Sequence, residues 1–465
     1  MIIYLRLILR HRYALFLFFM PRYFGHSFNN SKDIPFAALY LATLYYICDS
    51  VPHWEKKLPG SSIAKIGISS GLCIGTRVGG GALLLYFASF LAGYRLILSF
   101  REKTALKSVF FSVVRDFLPT AAISYATMLL FWPWAQQNPL VNPWISSKIM
   151  LNFSSTFSTP TLFEGVVIPS AQTPWYYLPK WFLISTPFFI LLGLLFLGTQ
   201  RMWAIWHGPS REKKHGTEKI PFLLLVMSCG FPLLMAMLFR TKFYDGIRHS
   251  LFLLPLSAIL SAAGYGELYR FLAKWSKNNR VRLSVNLFCF LFMGFQFAFM
   301  TSWYVRSHPN SFIFFNSFIG GIRGAYRNYP LEYWGNSHKQ AAQWLNAYVS
   351  DRHAHRLPSR KYRVHSYENP LSVQYYLDPK YFQYNFEDLV LSPLRGQVPA
   401  EKEWDFLVVS RDLHVVNPDY VIRKDIVFTR EGVLGKEVHR ICIDGIPIAA
   451  IFKLEKPGDG DTRSP

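Results

Sequence analysis

The sequence predicts a mainly α-helical protein, a polytopic membrane helical bundle followed by a small C-terminal extracytoplasmic α/β domain. Three observations predict it. Long apolar stretches alternate with short loops through residues 1–303, and the Lys and Arg of those loops fall almost wholly on alternate ones. After Trp303 the pattern changes to short strand-like runs that follow one amphipathic helix.

A helix needs about 20 apolar residues to cross the hydrocarbon core, fewer where the bilayer thins. The candidate spans are 34–48, 62–76, 79–98, 113–132, 181–199, 220–239, 249–270 and 282–303, with a weaker one at 13–24, which makes nine at most. The basic residues gather in loops 49–61 (Lys56, Lys57), 99–110 (Arg101, Lys103, Lys107), 200–219 (Arg201, Arg211, Lys213, Lys214, Lys219) and 270–282 (Arg270, Lys274, Lys277, Arg280, Arg282). The positive-inside rule makes these four cytoplasmic. The loops between them then lie outside, including stretch 135–178, whose only charges are Lys148 and Glu164, and so does everything after Trp303. The expected organisation is a transmembrane domain over 1–303 with outer loop 135–178, an extracytoplasmic domain over 304–453 and a disordered tail over 454–465.

Composition fits this division. The chain is 51% hydrophobic and 17% aromatic, and Trp132, Trp134, Trp144, Trp175, Tyr176, Tyr177 and Trp181 cluster where spans meet the outer loop, as interfacial aromatics do. The net charge of +22 sits largely on cytoplasmic loops, where membrane lipid is the partner to expect; no nucleic-acid partner is expected. Of the five Cys, only Cys442 lies in the tail, and no disulfide framework or CxxC metal spacing is available.

Charges at membrane depth or on the outer face carry the functional information, because a central charge costs about 2.5–3.5 kcal/mol on insertion scales. One group is the outer turn from Pro21 to Pro35, with Arg22, His26, Lys32 and Asp33. Asp33 stands just ahead of Pro35 at a helix N-terminus, where an acid is favoured by the helix dipole. It reads either as a helix cap or as a carboxylate that holds a metal or organises an anionic head group. A second group, Arg240, Lys242, Asp245, Arg248 and His249 in and around FYDGIRHSLFLLP, places basic residues on an outer loop and points to an anion there; an Asp245–Arg248 salt bridge or snorkelling is the plainer reading. The third is the break GLCIGTRVGGG, where glycines permit close helix packing and Arg77 is a weaker anion candidate. In loop 135–178, Glu164 supplies one acid, and Trp175, Tyr176 and Tyr177 an aromatic platform suited to a sugar face or to an interface.

The tail predicts a helix from Ser337 to Val349, with Asn336 or Ser337 as its cap. Strands follow at Tyr362–His365, Trp404–Ser410, Tyr420–Arg423, Ile426–Thr429 and Ile448–Lys453, separated by turns such as Asn417-Pro418-Asp419 and Asp444-Gly445. No nucleophile motif, zinc signature or phosphate loop is present in it.

With these residues laid out, the chain resembles the polyprenyl-phosphate-sugar-dependent glycosyltransferases of the GT-C type, the group that includes protein mannosyltransferases and lipid A aminoarabinose transferases. The resemblance covers residues 1 to about 350. It rests on the order of GHSFNNSKDIPFA, GLCIGTRVGG, PWYYLPKW, YDGIRHSLFLLP and LEYWGNSHKQAAQWLN. It implies hexosyl or pentosyl transfer from a polyprenyl-phosphate-linked sugar to a protein, lipid or glycan acceptor outside the cell or inner membrane. In such enzymes one acid lies in the first outer loop and a second in the next outer turn. Asp33 matches the second. Residues 1–9 read as the end of a helix or as a short amphipathic N-terminal anchor; the first loop has no counterpart, and a truncated or inactive member is expected. By the same resemblance Arg248, with Arg77, Lys242 or His249, would neutralise the departing phosphate; Arg22, His26 and Lys32 would assist Asp33. Asp245 belongs to the same binding set, and Glu164, Trp175, Tyr176 and Tyr177 would cover the site. No cofactor is implied beyond a divalent cation, which stays open.

A non-catalytic membrane scaffold and a lipid or solute transporter remain as other classes; a transporter should show internal repeats with matching broken helices, and none is apparent. The charge asymmetry makes the orientation testable. A reporter active only in the cytoplasm, fused after Lys453, is expected to stay silent, and strong activity there would reverse the topology.

Overall fold

The computed structural model describes residues 14–151, 160–206, 219–275, 279–366, 370–383, 404–410, 421–423, 426–429 and 432–454. The expectations for residues 1–9, for the turn 417–419 and for the tail beyond 454 lie outside them. The chain is mainly helical and divides into two compact units, Met1–Ser158 with Ser170–Thr301, and Thr159–Pro169 with Ser302–Pro465.

The helices of the first unit are α1 (Pro21–His26), α2 (Asp33–Ser50), α3 (Gly60–Thr76), α4 (Gly81–Glu102), α5 (Leu106–Leu130), α6 (Pro133–Gln137), α7 (Val141–Leu151), α8 (Tyr177–Ser185), α9 (Phe188–Trp206), α10 (Ile220–Leu238), α11 (Leu253–Trp275) and α12 (Asn279–Ser307). Four segments among the described residues are long and apolar enough to cross a membrane: Asp33–His53, Val78–Glu102, Ile220–Leu238 and Arg280–Ser307. A fifth is the bent pair Tyr177–Ser185 and Phe188–Ala204.

The expected spans and the observed helices differ in three ways, each with a physical cause. The span expected at 181–199 is broken by a 114° bend between α8 and α9, because Thr186 stands before Pro187 and is forced into extended backbone (ψ 134°). In the weak span at 13–24, described from residue 14, the helix ends at residue 18 and restarts at Pro21 after Met20 adopts an extended conformation. The spans expected at 62–76, 113–132 and 249–270 form α3, α5 and α11 but fall short in length or apolarity. These helices bury small polar side chains, Ser69 and Ser70 on α3, Asp116, Thr120, Ser124 and Thr127 on α5, Ser257 and Ser261 on α11.

Close approach makes those faces work. A Cβ on Gly67 would sit 2.8 Å from the Ile123 side chain, and one on Gly71 would meet the Ser124 carbonyl of α5. The same contact brings Ser70 Oγ to donate to Ser124 Oγ at 3.0 Å. Small residues at such an interface let backbones approach and let dispersion contacts accumulate.

A buried ion pair ties the opposite ends of these helices to loop 51–58. Arg95 of α4 donates through Nε to the Trp54 carbonyl (3.0 Å), through Nη1 to Ser112 O (2.5 Å), and through Nη2 to Lys56 O (2.8 Å) and Asp116 Oδ2 (2.5 Å). Asp116, wholly buried on α5, also accepts from Arg115 at 3.0 and 3.1 Å and from the Leu58 N–H at 3.4 Å.

In the second unit, β1 (Pro160–Phe163) and β2 (Val166–Pro169) form a hairpin, followed by α13 (Gly321–Ala325), α14 (Asn336–Arg352), β3 (Val364–Ser366), α15 (Pro370–Tyr376), β4 (Phe406–Ser410), β5 (Val421–Arg423), β6 (Ile426–Thr429), β7 (Gly432–Ile443) and β8 (Ile446–Leu454). One mixed sheet has the order β3-β4-β8-β7-β6-β5, and only β3 and β4 run parallel. The sequence reading missed β7, whose register shifts at Glu437/His439 and Ile441/Cys442 interrupt the period-two pattern. The turn Asp444-Gly445 joins β7 to β8 with both residues at positive φ, 48° and 78°. Helix α14 is capped neither by Asn336 nor by Ser337. Glu332 accepts instead from the N–H groups of Trp334 (2.8 Å), Gly335 (2.9 Å) and Ser337 (3.1 Å), a charge-assisted arrangement at a helix N-terminus.

The ion pair generates a stability prediction. Asp116→Ala leaves Arg95 buried opposite no carboxylate and is expected to destabilise the first unit by about 3–5 kcal/mol. Arg115→Ala, at a half-exposed side chain, should cost no more than about 1 kcal/mol. Thermal unfolding of the detergent-solubilised chain compares the two, and equal effects would contradict the assignment.

Candidate functional site

The N-terminus of α2, the break between α3 and α4, and the turn ahead of α11 meet at a buried ionic cluster. Asp33, in the first turn of α2, is almost completely buried. Its Oδ1 is ion-paired with Arg77 Nη2, and its Oδ2 lies 3.8 Å from Arg248 Nε. Arg248 Nη1 also donates to Asp245 Oδ2 at 2.5 Å. Arg77 Nη1 donates to His249 Nδ1 at 3.4 Å. An acceptor role at Nδ1 puts the proton of a neutral imidazole on Nε2.

Asp33 does not cap its own helix. Asn30, in the turn ahead of the helix, accepts through Oδ1 from the N–H groups of Lys32 (3.2 Å) and Asp33 (2.8 Å), while its Nδ2 donates to Asp33 Oδ2 at 2.7 Å. The carboxylate is thus held by an amide and aimed at two guanidiniums. The sequence reading missed this role of Asn30.

Aromatic side chains complete the cluster. Arg22 lies over the Trp181 ring at 5.1 Å and Arg248 over Tyr244 at 5.3 Å, distances at which the ring quadrupole attracts a cation. Tyr244 also meets His249 edge to face at 4.7 Å. Tyr177 is buried, stacks on Phe243 and accepts from the Gly246 N–H through its hydroxyl at 3.2 Å; it fixes the turn that carries Asp245 and Arg248. Gly246 has φ +66°, and a Cβ there would come within 3.1 Å of the Trp181 ring. Trp181, Tyr244 and Phe243 were not singled out from sequence as site residues.

The remaining sequence candidates are placed differently. Lys32 is exposed beside the cluster, Lys242 is half-buried, and Trp175 and Tyr176 are exposed and half-buried ahead of α8. Glu164 is exposed in the β1–β2 turn at φ +54° and belongs to the second unit, where the Gly165 N–H donates to Asn328 O at 3.1 Å.

Arg77 and Arg248 face two carboxylates, Asp33 and Asp245. His26 is wholly buried, its Nδ1 3.2 Å from Asn29 Oδ1. Burial, with Arg22 and Arg248 beside it, lowers its pKa to about 3, against the opposing effect of the hydrogen bond that its Nδ1 donates to Asn29 Oδ1. Burial also pushes the Asp245 carboxyl above its usual range, outweighing the pull of Arg248. Two donors, Arg77 Nε and His249 Nε2, are buried with no hydrogen-bond partner among the described residues, an arrangement whose cost an acceptor atom would relieve.

A divalent cation does not fit this arrangement. Both Asp33 oxygens are engaged by guanidiniums, and among the described residues no three His, Cys, Asp or Glu side chains are grouped as ligands.

No family model matches the chain, and no curated protein does. Among solved structures it is similar to the archaeal oligosaccharyltransferase AglB from Archaeoglobus fulgidus, in complex with an inhibitory peptide and a dolichol-phosphate. The identity is 12% and the TM-score 0.35, over 83% of this chain and 53% of that one. The chain thus spans about half the length of that protein.

The buried neutral His26 makes stability depend on pH. Its folded pKa lies below the unfolded value of about 6.5, so the unfolded chain binds the extra proton as pH falls, and stability present above about 6.5 is lost progressively toward about 3. His26→Gln is expected to flatten this acid limb by up to about 1.4 kcal/mol per pH unit. Thermal midpoints between pH 7 and 4 check it; parallel curves for the two proteins would show that His26 does not contribute.

Proposed function

We propose that the chain is a GT-C type membrane glycosyltransferase that moves a sugar from a polyprenyl-phosphate donor to an extracytoplasmic acceptor. The observation that carries this reading is the pair of guanidiniums, Arg77 and Arg248, on the buried Asp33, with Arg77 Nε and His249 Nε2 buried beside it and without a hydrogen-bond partner among the described residues. A buried donor without an acceptor is costly. A phosphodiester head group meets that need with oxygens on all sides and one negative charge.

In this reading Arg77, Arg248 and His249 take the donor phosphate and stabilise the charge that grows on it as the sugar departs. Asp33 holds the two guanidiniums apart before the donor arrives. When the phosphate replaces it as their counter-ion, the carboxylate is released to orient or deprotonate the acceptor hydroxyl. Arg22, over Trp181 and beside His26, adds to the field, and Asp245 keeps Arg248 aimed.

The experiment separates binding from chemistry. Arg248→Ala in lipid nanodiscs is expected to weaken binding of undecaprenyl phosphate at least tenfold, since a charge-assisted contact contributes about 1.5–3 kcal/mol; Lys65→Ala should change little. Asp33→Asn should lower transfer about a hundredfold. Unchanged lipid-phosphate binding in a folded Arg248→Ala protein would reduce the arginine to a structural ion pair. Binding without any transfer dependent on Asp33 would favour a lipid-binding scaffold.

A further inference from the structure

A second charged recess lies in the sheet-bearing unit. A cavity of about 290 Å³ opens between the C-terminal end of α14, strands β4 and β8, and the chain at 358–362. Arg352, Arg360 and Lys453 line it, and Asp405 is the one carboxylate among the lining residues. That carboxylate is fully employed. Its oxygens accept from Arg360 Nη2 (2.5 Å), Arg360 Nη1 (3.0 Å) and the Arg363 N–H (2.9 Å).

Arg352 and Lys453 make no ion pair among the described residues. Arg352 is nevertheless positioned, since its guanidinium stacks 4.3 Å above the Tyr348 ring, and that ring stacks in turn on Trp344 at 4.6 Å. The polar wall is also fixed. His353 Nδ1 donates to Arg356 O at 3.2 Å, which leaves Nε2 to accept from the Tyr362 hydroxyl at 2.9 Å.

We propose that this cavity binds a monosaccharide bearing an oxyanion, a carboxylate or a phosphate, with Arg352 and Lys453 on the anion and the Tyr362–His353 wall and Ser359 on the ring hydroxyls. The volume stands at the lower end of small-molecule sites, roughly 300–1,000 Å³, and is about ten times the share of one water in the liquid. A bare oxyanion would leave most of it unfilled, and a neutral sugar would make no use of the two exposed cations that line it. Planar guanidinium forks suit carboxylate and phosphate alike. This site is independent of the ionic cluster around Asp33.

The test is calorimetric titration of the full detergent-solubilised chain with glucuronate, glucose 6-phosphate, glucose and inorganic phosphate. At least one of the two acidic sugars is expected to bind tenfold or more tightly than both glucose and inorganic phosphate, with affinity falling as salt rises. The tighter of the two identifies the anion. Arg352→Gln and the exposed Lys453→Gln should each weaken it at least fivefold, and Arg248→Ala should not, which separates this site from the ionic cluster. Glucose binding as well as the acidic sugars, saturable binding by neither acidic sugar, loss of binding in Arg248→Ala, or unchanged affinity in a folded Lys453→Gln protein would each overturn the proposal.

Discussion

A guanidinium surrounded by apolar helices must find oxygen atoms, and the two ways in which this chain meets that requirement define its first unit. Arg95 finds four, three of them main-chain carbonyls and the fourth on Asp116. Loop 51–58, α4 and α5 are held together by that one side chain. The site around Asp33 is built of the same chemical groups and left less complete: Arg77 and Arg248 share two carboxylates, and Arg77 Nε and His249 Nε2 have no acceptor among the described residues. A saturated cluster stabilises the bundle; an undersaturated one leaves buried polar groups at a cost in stability.

The close contact of α3 with α5 relates these two regions. Gly67 and Gly71 allow α3 to lie against α5, and α3 carries Arg77 at its C-terminal end, where the chain leaves the helix with extended backbone (φ −152°, ψ 134°). The glycine-rich run thus serves two purposes along one helix. Its first part sets the interhelical distance, and its last part frees an arginine to reach the carboxylate at the start of α2.

Much of this was legible because charges stand out against an apolar background. Asp33, Arg77, Arg248 and His249 are visible in the sequence as polar residues at the ends of spans, and the structure brings those four together. Asn30, Tyr244 and Trp181 carry no such contrast, since an Asn in a polar turn and aromatics near an interface are expected anyway. Arg95 and Asp116 were missed for the opposite reason: twenty-one residues apart on different helices, they announce no pairing. In the second unit, strands with clean alternation were read close to their observed bounds, whereas β7 was lost because two bulges shift its register. The 114° break at Thr186-Pro187 was passed over because apolar composition runs straight through it.

Gly246 shows how a site of charges can depend on a residue with none. Its left-handed backbone turns the chain between Asp245 and Arg248, and its bare α-carbon rests against the Trp181 ring on which Arg22 lies. A methyl group added there would press on the indole and so on the arginine above it, while the turn lost its preferred conformation. In a survey of tolerated substitutions, position 246 would therefore score with the arginines, although it offers a ligand nothing to bind. What it contributes is an absence of volume, and no search for reactive side chains would find it.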